Sequence, residues 1–422
     1  MSAAITKLSG YDRATRKMLW VLLVVYVFNF LDRQIVNILA EPIARDLKLS
    51  DTQLGLMTGL AFALFYTVLG IPIARYADKP GSDRGRLIAV SLAIWSGMTA
   101  LCGLATNYWQ LLLARIGVGI GEAGCTPAAH SLIADRVAPE KRPGAMAFYA
   151  MGIPLGSLLG MVIGGQLADA VGWRHAFLFV GLPGLLMVAV VLVMVRDTER
   201  TVHAQPEGGR ESVVRTVSIL LRSPTLVMLL AAASASSFLS YGKGTWATIF
   251  FQRTHGLSPG EVGFWFGLWG GVAGVAGTWL GGWIANRLGR EHLTTAPAIG
   301  MALAVPLALA GYNASDWRIG MALLMLPGLL NSLYYGPVYS STQGLVAQRH
   351  RAMASALLLF CQNLIGLGLG PLFFGMLSDW LKPEYGADSV RYVLYGAAWL
   401  GLIPAVLYWL LRPRLAAEID RQ

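Results

Sequence analysis

Residues 142–147 read RPGAMA and residues 349–354 read RHRAMA, so one pattern of arginine, alanine and methionine returns after 207 residues. The pair Asp78-Lys79 returns as Asn286-Arg287 after 208 residues. A longer set returns after 210 residues, namely Gly156, Gly160, Gly165 and Asp169 as Gly366, Gly370, Gly375 and Asp379. Chance similarity between glycine-rich helices is the alternative, but it does not explain the matching charged positions. Three matches at nearly one spacing predict two structural repeats that run in the same direction.

The composition indicates that lipid is the main solvent of this chain. Of its 422 residues 55% are hydrophobic and 13% are charged, whereas about 25% of the residues in soluble proteins are charged. Apolar stretches of about 20 residues, enough to cross a bilayer, recur along the chain. Such runs are predicted to be helices because lipid offers no partners to backbone polar groups. We predict an all-α membrane protein with twelve transmembrane helices, at 18–40, 52–74, 87–106, 109–134, 144–168, 174–195, 223–250, 260–285, 293–312, 318–344, 353–378 and 391–411.

The distribution of basic residues predicts the orientation. The first span follows several basic residues and lacks a cleavage site, so it is predicted to be a retained helix. With the N-terminus inside, 23 Lys and Arg residues lie in cytoplasmic segments, 7 lie outside and 3 lie within spans. Lys and Arg favour cytoplasmic loops, so both termini are expected there. Short outer loops and the lack of a disulfide framework favour a bacterial inner membrane.

Several classes of function are disfavoured by the sequence. The three cysteines lie in apolar segments, and neither they nor the six histidines show metal-binding spacing. The chain has no phosphate-binding loop of the ATPase type and no catalytic constellation. The net charge of +10 is explained by the cytoplasmic loops and not by nucleic acid. We therefore expect a monomer that is not an enzyme, has no metal or cofactor, and works in the lipid bilayer.

A long polar segment near the middle of the chain separates six spans from six. The predicted domains are an N-terminal bundle at 1–195, a cytoplasmic linker at 196–222 and a C-terminal bundle at 223–422. Two parallel six-helix repeats are the arrangement of the major facilitator fold. In that fold the substrate site lies between the halves near the middle of the membrane, and one half rocks against the other.

One loop resembles a motif of the major facilitator superfamily. The sequence RYADK (residues 75–79), followed by RGR (residues 84–86), is similar to the family's loop between its second and third helices, although Ala74 stands where glycine is usual. In the family this motif clamps the two halves on the cytoplasmic side in the outward-facing state. The resemblance implies a cytoplasmic gate formed by Asp78, Arg84 and Arg86, with Asp78 as the latch. A plain basic loop is the alternative.

Ionisable residues within the predicted spans are informative because each costs roughly 2.5–3.5 kcal/mol at bilayer depth. The first span carries Asn29, Asp32 and Arg33, and the fourth carries Arg115 and Glu122. The last two share one helix face and lie about 10 Å apart along it. We therefore predict that the two acids and two bases pair between the helices in a neutral, buried cluster.

Two roles for this cluster remain open. Either Asp32 and Glu122 form a proton-coupling pair, with the two arginines tuning them or binding an anionic head group, or the four residues are a static salt-bridge network. Burial favours the neutral form of a carboxylate, which favours the first role. Glu122 is the preferred proton carrier because Gly119 and Gly121 are expected to leave space for water beside it.

The second half contains no equivalent charges at the repeated positions. A polar and aromatic set there is predicted to bind substrate, and this division suits a molecule with a polar head and an apolar body. The predicted substrate-binding residues are Asn29 of the first span and, in the second half, Ser240, Tyr241, Lys243, Asn331 and Tyr335.

Three sequences resemble the Spinster-like branch of the superfamily. They are NFLDR (residues 29–33), LSDTQLG (residues 49–55) and the fourth-span run at 115–135. Characterised proteins of this branch move sphingosine phosphate or lysophospholipids. The resemblance implies a proton-coupled secondary transporter of an amphiphilic, lysolipid-like substrate that works by alternating access. The alternative is a transporter of a small organic anion or drug by the same mechanism.

Overall fold

The computed structural model describes residues 11–79, 81–195, 197, 213–289 and 292–419. Within these ranges the regular structure is helical, without a β-strand. The first seven helices are α1 (Arg13–Leu47), α2 (Asp51–Ala77), α3 (Arg84–Gly103), α4 (Tyr108–Glu122), α5 (Cys125–Arg136), α6 (Arg142–Ala150) and α7 (Gly152–Met194). The later helices are α8 (Val213–Leu220), α9 (Pro224–Thr254), α10 (Pro259–Leu288), α11 (Thr295–Asn313), α12 (Trp317–Ser332), α13 (Tyr335–Gly344), α14 (Arg351–Cys361), α15 (Gly370–Tyr385), α16 (Ser389–Leu400) and α17 (Leu402–Ile419).

Each predicted span coincides, within a few residues, with one helix, part of a helix or consecutive helices. In the part of the chain that the structure describes, eight helical segments are long and apolar enough to cross a membrane, and two of these, Arg142–Met194 and Gln348–Leu415, each cover two predicted spans. This is consistent with twelve spans and confirms the all-α prediction. Some helices are longer than the apolar runs because backbone hydrogen bonding continues into the polar ends. The first helix, for example, extends to Leu47 rather than ending at Ala40.

Glycine determines the break between the predicted fifth and sixth spans. Gly172 has φ +82° and ψ 161° inside α7, a backbone conformation that strongly favours glycine. It divides one continuous helical segment of 43 residues into two helices joined by a sharp turn.

Glycines spaced by four also bring α7 and α1 close together. A side chain at Gly160 would place its Cβ 2.6 Å from the backbone oxygen of Leu31, and Gly156 meets the backbone oxygen of Val27 in the same way. The sequence repeat is also seen in the structure. Gly370, the counterpart of Gly160 in the second half, packs in the same way, because a Cβ there would lie 2.6 Å from the backbone oxygen of Phe238 in α9. Small residues therefore permit the helix contact that each half needs around its first helix.

The chain forms two compact units. The first consists of residues 1–49, 61–206 and 258–267, and the second of 50–60, 207–257 and 268–422. The division at 206/207 falls inside the predicted linker, most of which lies outside the described residues. Unlike the contiguous domains predicted from sequence, the units include two exchanged segments, 50–60 and 258–267.

Candidate functional site

The four charged residues predicted within the membrane come together in the first unit. Asp32 and Arg33 lie on α1, and Arg115 and Glu122 lie on α4. Relative exposure is 1% for Asp32, 1% for Arg115 and 0% for Glu122, and the Arg33 side chain is 15% exposed. Two acids and two bases thus form a buried cluster with no net formal charge.

Arg33 and Glu122 form the shortest ion pair in this cluster. The Nε atom of Arg33 donates a hydrogen bond of 2.6 Å to Oε2 of Glu122. The guanidinium carbon of Arg33 also lies 5.0 Å from the ring centroids of Phe30 and Phe62, and 4.4 Å from that of Tyr66. Aromatic faces attract a cation, so the rings and the carboxylate together hold the guanidinium in place.

Asp32 has different partners. Its Oδ2 atom accepts a 2.7 Å hydrogen bond from the hydroxyl of Thr99, a buried residue of α3. Its Oδ1 atom lies 3.9 Å from Nη1 of Arg115, which is close enough for charge attraction but too far for a hydrogen bond. The two carboxylates therefore differ, because one is bonded directly to a guanidinium and the other is bonded to a hydroxyl.

Several buried polar atoms of the cluster lack a hydrogen-bond partner among the described residues. They are Oδ1 of Asp32, Oε1 of Glu122, both side-chain amide atoms of Asn29, and Nε and Nη1 of Arg115. Buried polar groups in proteins are usually hydrogen-bonded. This cluster therefore retains capacity to bind a proton, a water molecule or a polar group of a substrate.

The expectation that glycines leave space for water beside Glu122 is wrong. A Cβ at Gly119 would lie 2.6 Å from the backbone oxygen of Phe62, and a Cβ at Gly121 would lie 2.6 Å from the backbone nitrogen of Trp95. The two glycines instead allow α4 to approach α2 and α3 closely. They contribute to the site by bringing the charged residues of α4 into the bundle.

Sequence reasoning missed Thr99 and the aromatic rings around Arg33. Threonine is common in apolar spans, and no spacing relates Thr99 to the charges on α1. Phe62 and Tyr66 are four residues apart on α2, and their rings stack with centroids 5.5 Å apart. That spacing indicates a shared helix face, but it does not indicate a cation beside them.

The predicted substrate residues of the second unit lie in several environments. On α9, Ser240 and Tyr241 are exposed and Lys243 is partly buried. In the described part of the chain, Lys243 makes no hydrogen bond or ion pair. Asn331 on α12 and Tyr335 at the start of α13 are partly buried.

A polar and aromatic cluster inside the second unit was only partly anticipated. The hydroxyl of Tyr334 lies 3.3 Å from that of Ser237, and Tyr334 stacks on Tyr335 with centroids 4.3 Å apart. The hydroxyl of Ser236 donates to that of Tyr408 at 3.3 Å. Tyr408 lies on the last helix, and no sequence pattern connects it with α9.

The predicted cytoplasmic gate residues do not share one environment. Arg84 is fully buried, and it donates to Asp197 through Nε at 2.7 Å and through Nη2 at 2.8 Å. It also donates to Ser131 at 3.2 Å and pairs with Asp135. Partial burial alone would raise the pKa of the Asp197 carboxyl, but hydrogen bonds and charge from Arg84 outweigh it and hold that pKa below its usual 3.8.

Asp78 and Arg86 are placed differently from Arg84. The Asp78 carboxylate accepts a hydrogen bond of 3.4 Å from the hydroxyl of Ser131 in the middle of α5. Arg86 has an exposed side chain, and its backbone N–H donates to Asp83 at 2.9 Å. Arg84 is therefore an internal anchor of the first unit, and a latch role for Asp78 stays a prediction.

The sequence profile of the Major Facilitator Superfamily matches residues 22–366 and 247–422. The chain belongs to the Major Facilitator Superfamily. It is accordingly a membrane transporter, and the transporter class inferred from its sequence is confirmed.

Two curated superfamily relatives span most of this chain. An MFS-type efflux pump of Mycolicibacterium smegmatis is 35% identical over 416 residues, covering 97% of this chain and 96% of that protein. A sphingosine-1-phosphate transporter of Danio rerio is 27% identical over 404 residues, covering 90% of this chain and 79% of that protein.

Solved structures of superfamily members show the same fold. A bacterial homologue of the human lysosomal transporter Spinster, in an inward-facing and unoccupied conformation, has a TM-score of 0.89 and 28% identity, covering 97% of this chain and 99% of that one. A D-xylose-proton symporter has a TM-score of 0.73 and 16% identity, which shows the fold alone. The predicted major facilitator fold and the resemblance to the Spinster branch are therefore confirmed.

Proposed function

We propose that this protein is a proton-coupled secondary transporter that moves an amphiphilic, lysolipid-like molecule by alternating access. The observation that carries the proposal is the buried cluster of Asp32, Arg33, Arg115 and Glu122, in which each carboxylate has one oxygen without a hydrogen-bond partner among the described residues. A static network is expected to use these oxygens, whereas a site that loads and releases a proton needs them available.

The contact between Arg33 and Glu122 gives a physical basis for coupling. Burial favours a neutral carboxyl group, and an adjacent guanidinium favours the charged carboxylate. If the anionic head group of a substrate takes the place of Glu122 beside Arg33, the displaced carboxylate loses that stabilisation and favours its protonated form. Substrate and proton then enter the site in the same step. Arg33 stays charged throughout because a guanidinium is not deprotonated in proteins.

Lys243 supports the anionic, amphiphilic character of the substrate. Its ammonium group is partly buried on α9 without an ion pair in the described residues. A buried charge is unfavourable unless it is paired, so a negatively charged ligand group would stabilise this position. The similarity to a sphingosine-1-phosphate transporter also supports a phosphate head group with an apolar chain.

A second candidate function has an observation of its own. The relative from Mycolicibacterium smegmatis that matches nearly the whole chain is an efflux pump. This similarity favours transport of a small organic anion or drug by alternating access. Both candidates use the same charged cluster and differ in the substrate.

Transport by the purified protein in proteoliposomes distinguishes the two candidates. We expect an imposed pH gradient to drive accumulation of sphingosine 1-phosphate or a lysophosphatidic acid, and a protonophore to abolish it. A monoacylglycerol, which has the apolar chain without the charge, is the matched control and is not expected to accumulate. Proton-driven movement of ethidium or benzoate without movement of the lysolipids would favour the second candidate. Transport that ignores the pH gradient would contradict proton coupling.

We also propose that the protein is a monomer in a bacterial inner membrane with both termini in the cytoplasm. The 23 to 7 division of basic residues supports this orientation. A single cysteine placed in the linker at 196–222 is expected to resist a membrane-impermeant maleimide in whole cells. Labelling from outside would contradict the orientation.

A further inference from the structure

Asn29 is a fully buried amide in the charged cluster without a hydrogen-bond partner in the described part of the chain. Its relative exposure is 0%, and neither its side-chain oxygen nor its side-chain nitrogen is bonded to a described residue. Burying an amide without a compensating hydrogen bond is unfavourable, and buried polar groups are usually bonded to protein or to ordered water. Asn29 is therefore expected to bond to a molecule that is not part of the chain.

The side chain of Asn29 lies between the two ionised residues of α1. At about 100° per residue, Asn29 is about 60° around the helix from Asp32 and, in the other direction, about 40° from Arg33. The face of α1 that meets α7, marked by Val27 and Leu31, is about 160° away. Asn29 therefore faces away from α7 and toward α3 and α4, the helices that supply hydrogen-bond and ion-pair partners to Asp32 and Arg33.

Along the helix axis, Asn29 lies on the Glu122 side of the pair formed by Asp32 and Arg115. Because α1 and α4 begin the first and fourth membrane spans, they run in opposite directions. Asn29 precedes Asp32 by about 4.5 Å along α1. Glu122 follows Arg115 by about 10 Å along α4, which is the same direction in space. The amide is therefore placed where a small bridging molecule can connect it with both carboxylates.

The free atoms of the cluster match the hydrogen bonding of water. Oδ1 of Asp32 and Oε1 of Glu122 can accept hydrogen bonds, and Nε and Nη1 of Arg115 can donate them. The amide of Asn29 can do both. A buried water molecule also donates and accepts, and it typically makes about three hydrogen bonds. The 3.9 Å between Oδ1 of Asp32 and Nη1 of Arg115 is too long for a direct bond, but water can bridge it.

The titratable and charged groups around the two ion pairs do not satisfy the free carboxylate oxygens. These groups are Arg33 of α1, Tyr66 of α2, Cys102 of α3, Arg115 of α4 and Cys125 of α5. None of them is bonded to Oδ1 of Asp32 or Oε1 of Glu122 in the described structure. Gly119 and Gly121 face α2 and α3, so their close contacts leave the α1 side of Glu122 unaffected. Water is the partner whose chemistry suits all of the free atoms at once.

We propose that Asn29 is a positioning residue that holds at least one buried water molecule between Asp32 and Glu122, and that this water passes a proton from one carboxyl group to the other. The O–H bond of the protonated carboxyl breaks as its proton bonds to the water oxygen, and another proton of that water bonds to the second carboxylate. The water molecule is thereby regenerated, and the total charge of the site does not change. The proton step rests on the proposed proton-coupled function, whereas the water site does not.

Infrared difference spectroscopy of the purified full-length protein tests the water site directly. When a pH change protonates the carboxyl groups, we expect an O–H stretching band of bound water that shifts in water containing a heavy oxygen isotope. Asn29→Leu, which keeps the approximate size but forms no hydrogen bond, is expected to remove this band, and Asn29→Ser is expected to retain it. Asn29→Ala removes the same polar atoms and takes the place of Asn29→Leu if leucine prevents folding.

Asn313→Leu is the matched control for the spectra. Both polar atoms of the Asn313 side chain already have protein partners, since its nitrogen donates to the backbone oxygen of Leu309 at 2.9 Å and its oxygen accepts the hydroxyl of Tyr395 at 2.6 Å. Asn313→Leu is therefore expected to leave the water band unchanged. A band that is absent from the wild type, or that persists in the leucine and alanine variants of Asn29, would overturn the water site.

Transport in proteoliposomes separates a positioning role from a purely structural one. We expect Asn29→Leu to slow pH-driven uptake of sphingosine 1-phosphate about tenfold, the upper range for loss of one hydrogen bond, while substrate exchange without a pH gradient keeps its wild-type rate. Asn29→Ser is expected to recover most of the driven uptake. Equal slowing of driven uptake and exchange would overturn the positioning role. Absence of proton-driven transport in the wild type would overturn the proposed function and the proton step with it, but the water band, measured without substrate, would remain.

Discussion

The guanidinium of Arg33 and the carboxylate of Glu122 are 89 residues apart in the chain and are joined by a hydrogen bond of 2.6 Å between Nε and Oε2. The bond connects α1 to α4 where Glu122 is fully buried. Removing one partner of a buried ion pair leaves an uncompensated charge, which usually costs about 3–5 kcal/mol. Substitutions that preserve size and hydrogen bonding are therefore the informative ones here.

Glu122→Gln is expected to abolish proton-driven transport while the protein still folds, because glutamine has nearly the shape of glutamate but no titratable proton. We expect at least about a hundredfold loss of pH-driven uptake, as for removal of a group that transfers a proton, while exchange of bound substrate persists. Glu140→Gln, at an exposed position, is the control and is expected to behave as wild type.

The same experiment with Asp32→Asn completes the test of the carboxylate pair. Wild-type rates and pH profiles in both Glu122→Gln and Asp32→Asn would reject the proton-coupling assignment. Loss of folded protein in both variants would favour the static network. Melting curves recorded beside the transport assays separate these results.

Lys243→Gln is expected to weaken binding of an anionic amphiphile, because it removes a positive charge that has no ion-pair partner in the described structure. We expect KM for sphingosine 1-phosphate to rise about tenfold, corresponding to about 1.4 kcal/mol, and Lys243→Arg to restore most of the affinity. Lys382→Gln, a change at an exposed lysine of the same unit, is the control. An equal KM in Lys243→Gln and wild type would exclude a contact between this lysine and the head group.

Gly119→Ala is expected to destabilise the first unit, because the added methyl group would lie 2.6 Å from the backbone oxygen of Phe62. Overpacking of this kind typically costs about 1–3 kcal/mol, and it is expected to lower the temperature of thermal unfolding. Gly244→Ala is matched in chemistry, but its methyl group would meet nothing within 4 Å. An unchanged or slightly raised melting temperature is expected for Gly244→Ala, and equal melting of the two variants would contradict the close packing of α4 on α2.

The Arg84–Asp197 pair predicts a pH-dependent contribution to stability. The pKa of Asp197 is lower in the folded protein than its usual 3.8, so folding favours the charged form. Its contribution is fully present above that usual value and is lost as the pH falls through the lower folded value. We expect Asp197→Asn to melt below wild type at about pH 5 to 8 and the difference to shrink in stronger acid. A difference that grows on acidification would contradict this sign.

Much of the fold follows from local features of the sequence. Long apolar runs locate the helices because lipid leaves the backbone no other way to satisfy its polar groups. The internal repeat indicates two similar halves, and isolated charges such as Arg115 mark the buried cluster before any contact is known. What the repeat does not indicate is the exchange of segments 50–60 and 258–267, since similarity between halves does not say which helix a segment contacts.

The sequence does not predict the parts of the site that are formed by common residues distant in the chain but in contact in the structure. Thr99 bonds to Asp32 across 67 residues, and nothing distinguishes it from other threonines in apolar helices. Asp169 and Asp379 stand out in the sequence as a repeated pair, but their partners at the starts of α10 and α2 are backbone N–H groups and ordinary hydroxyls, which the sequence does not distinguish from many others. A glycine such as Gly119 is ambiguous in the sequence, because a missing side chain is compatible with open space and with close packing equally well.

The carboxylate of Asp379, on α15, caps the start of α2 by accepting the backbone N–H groups of Asp51 at 3.0 Å and Thr52 at 2.7 Å, and this contact bears on how the protein is made. A chain is synthesised from its N-terminus, and Thr52 precedes its partner Asp379 by 327 residues. Until α15 is translated, the backbone N–H groups of Asp51 and Thr52 lack the carboxylate that caps them in the finished structure. The separation between Arg84 and its partner Asp197 is shorter, 113 residues, so this contact can form earlier in synthesis. Ribosome-bound nascent chains that end before Asp379 consequently lack the residue that caps the start of α2, although the sequence of α2 is already complete.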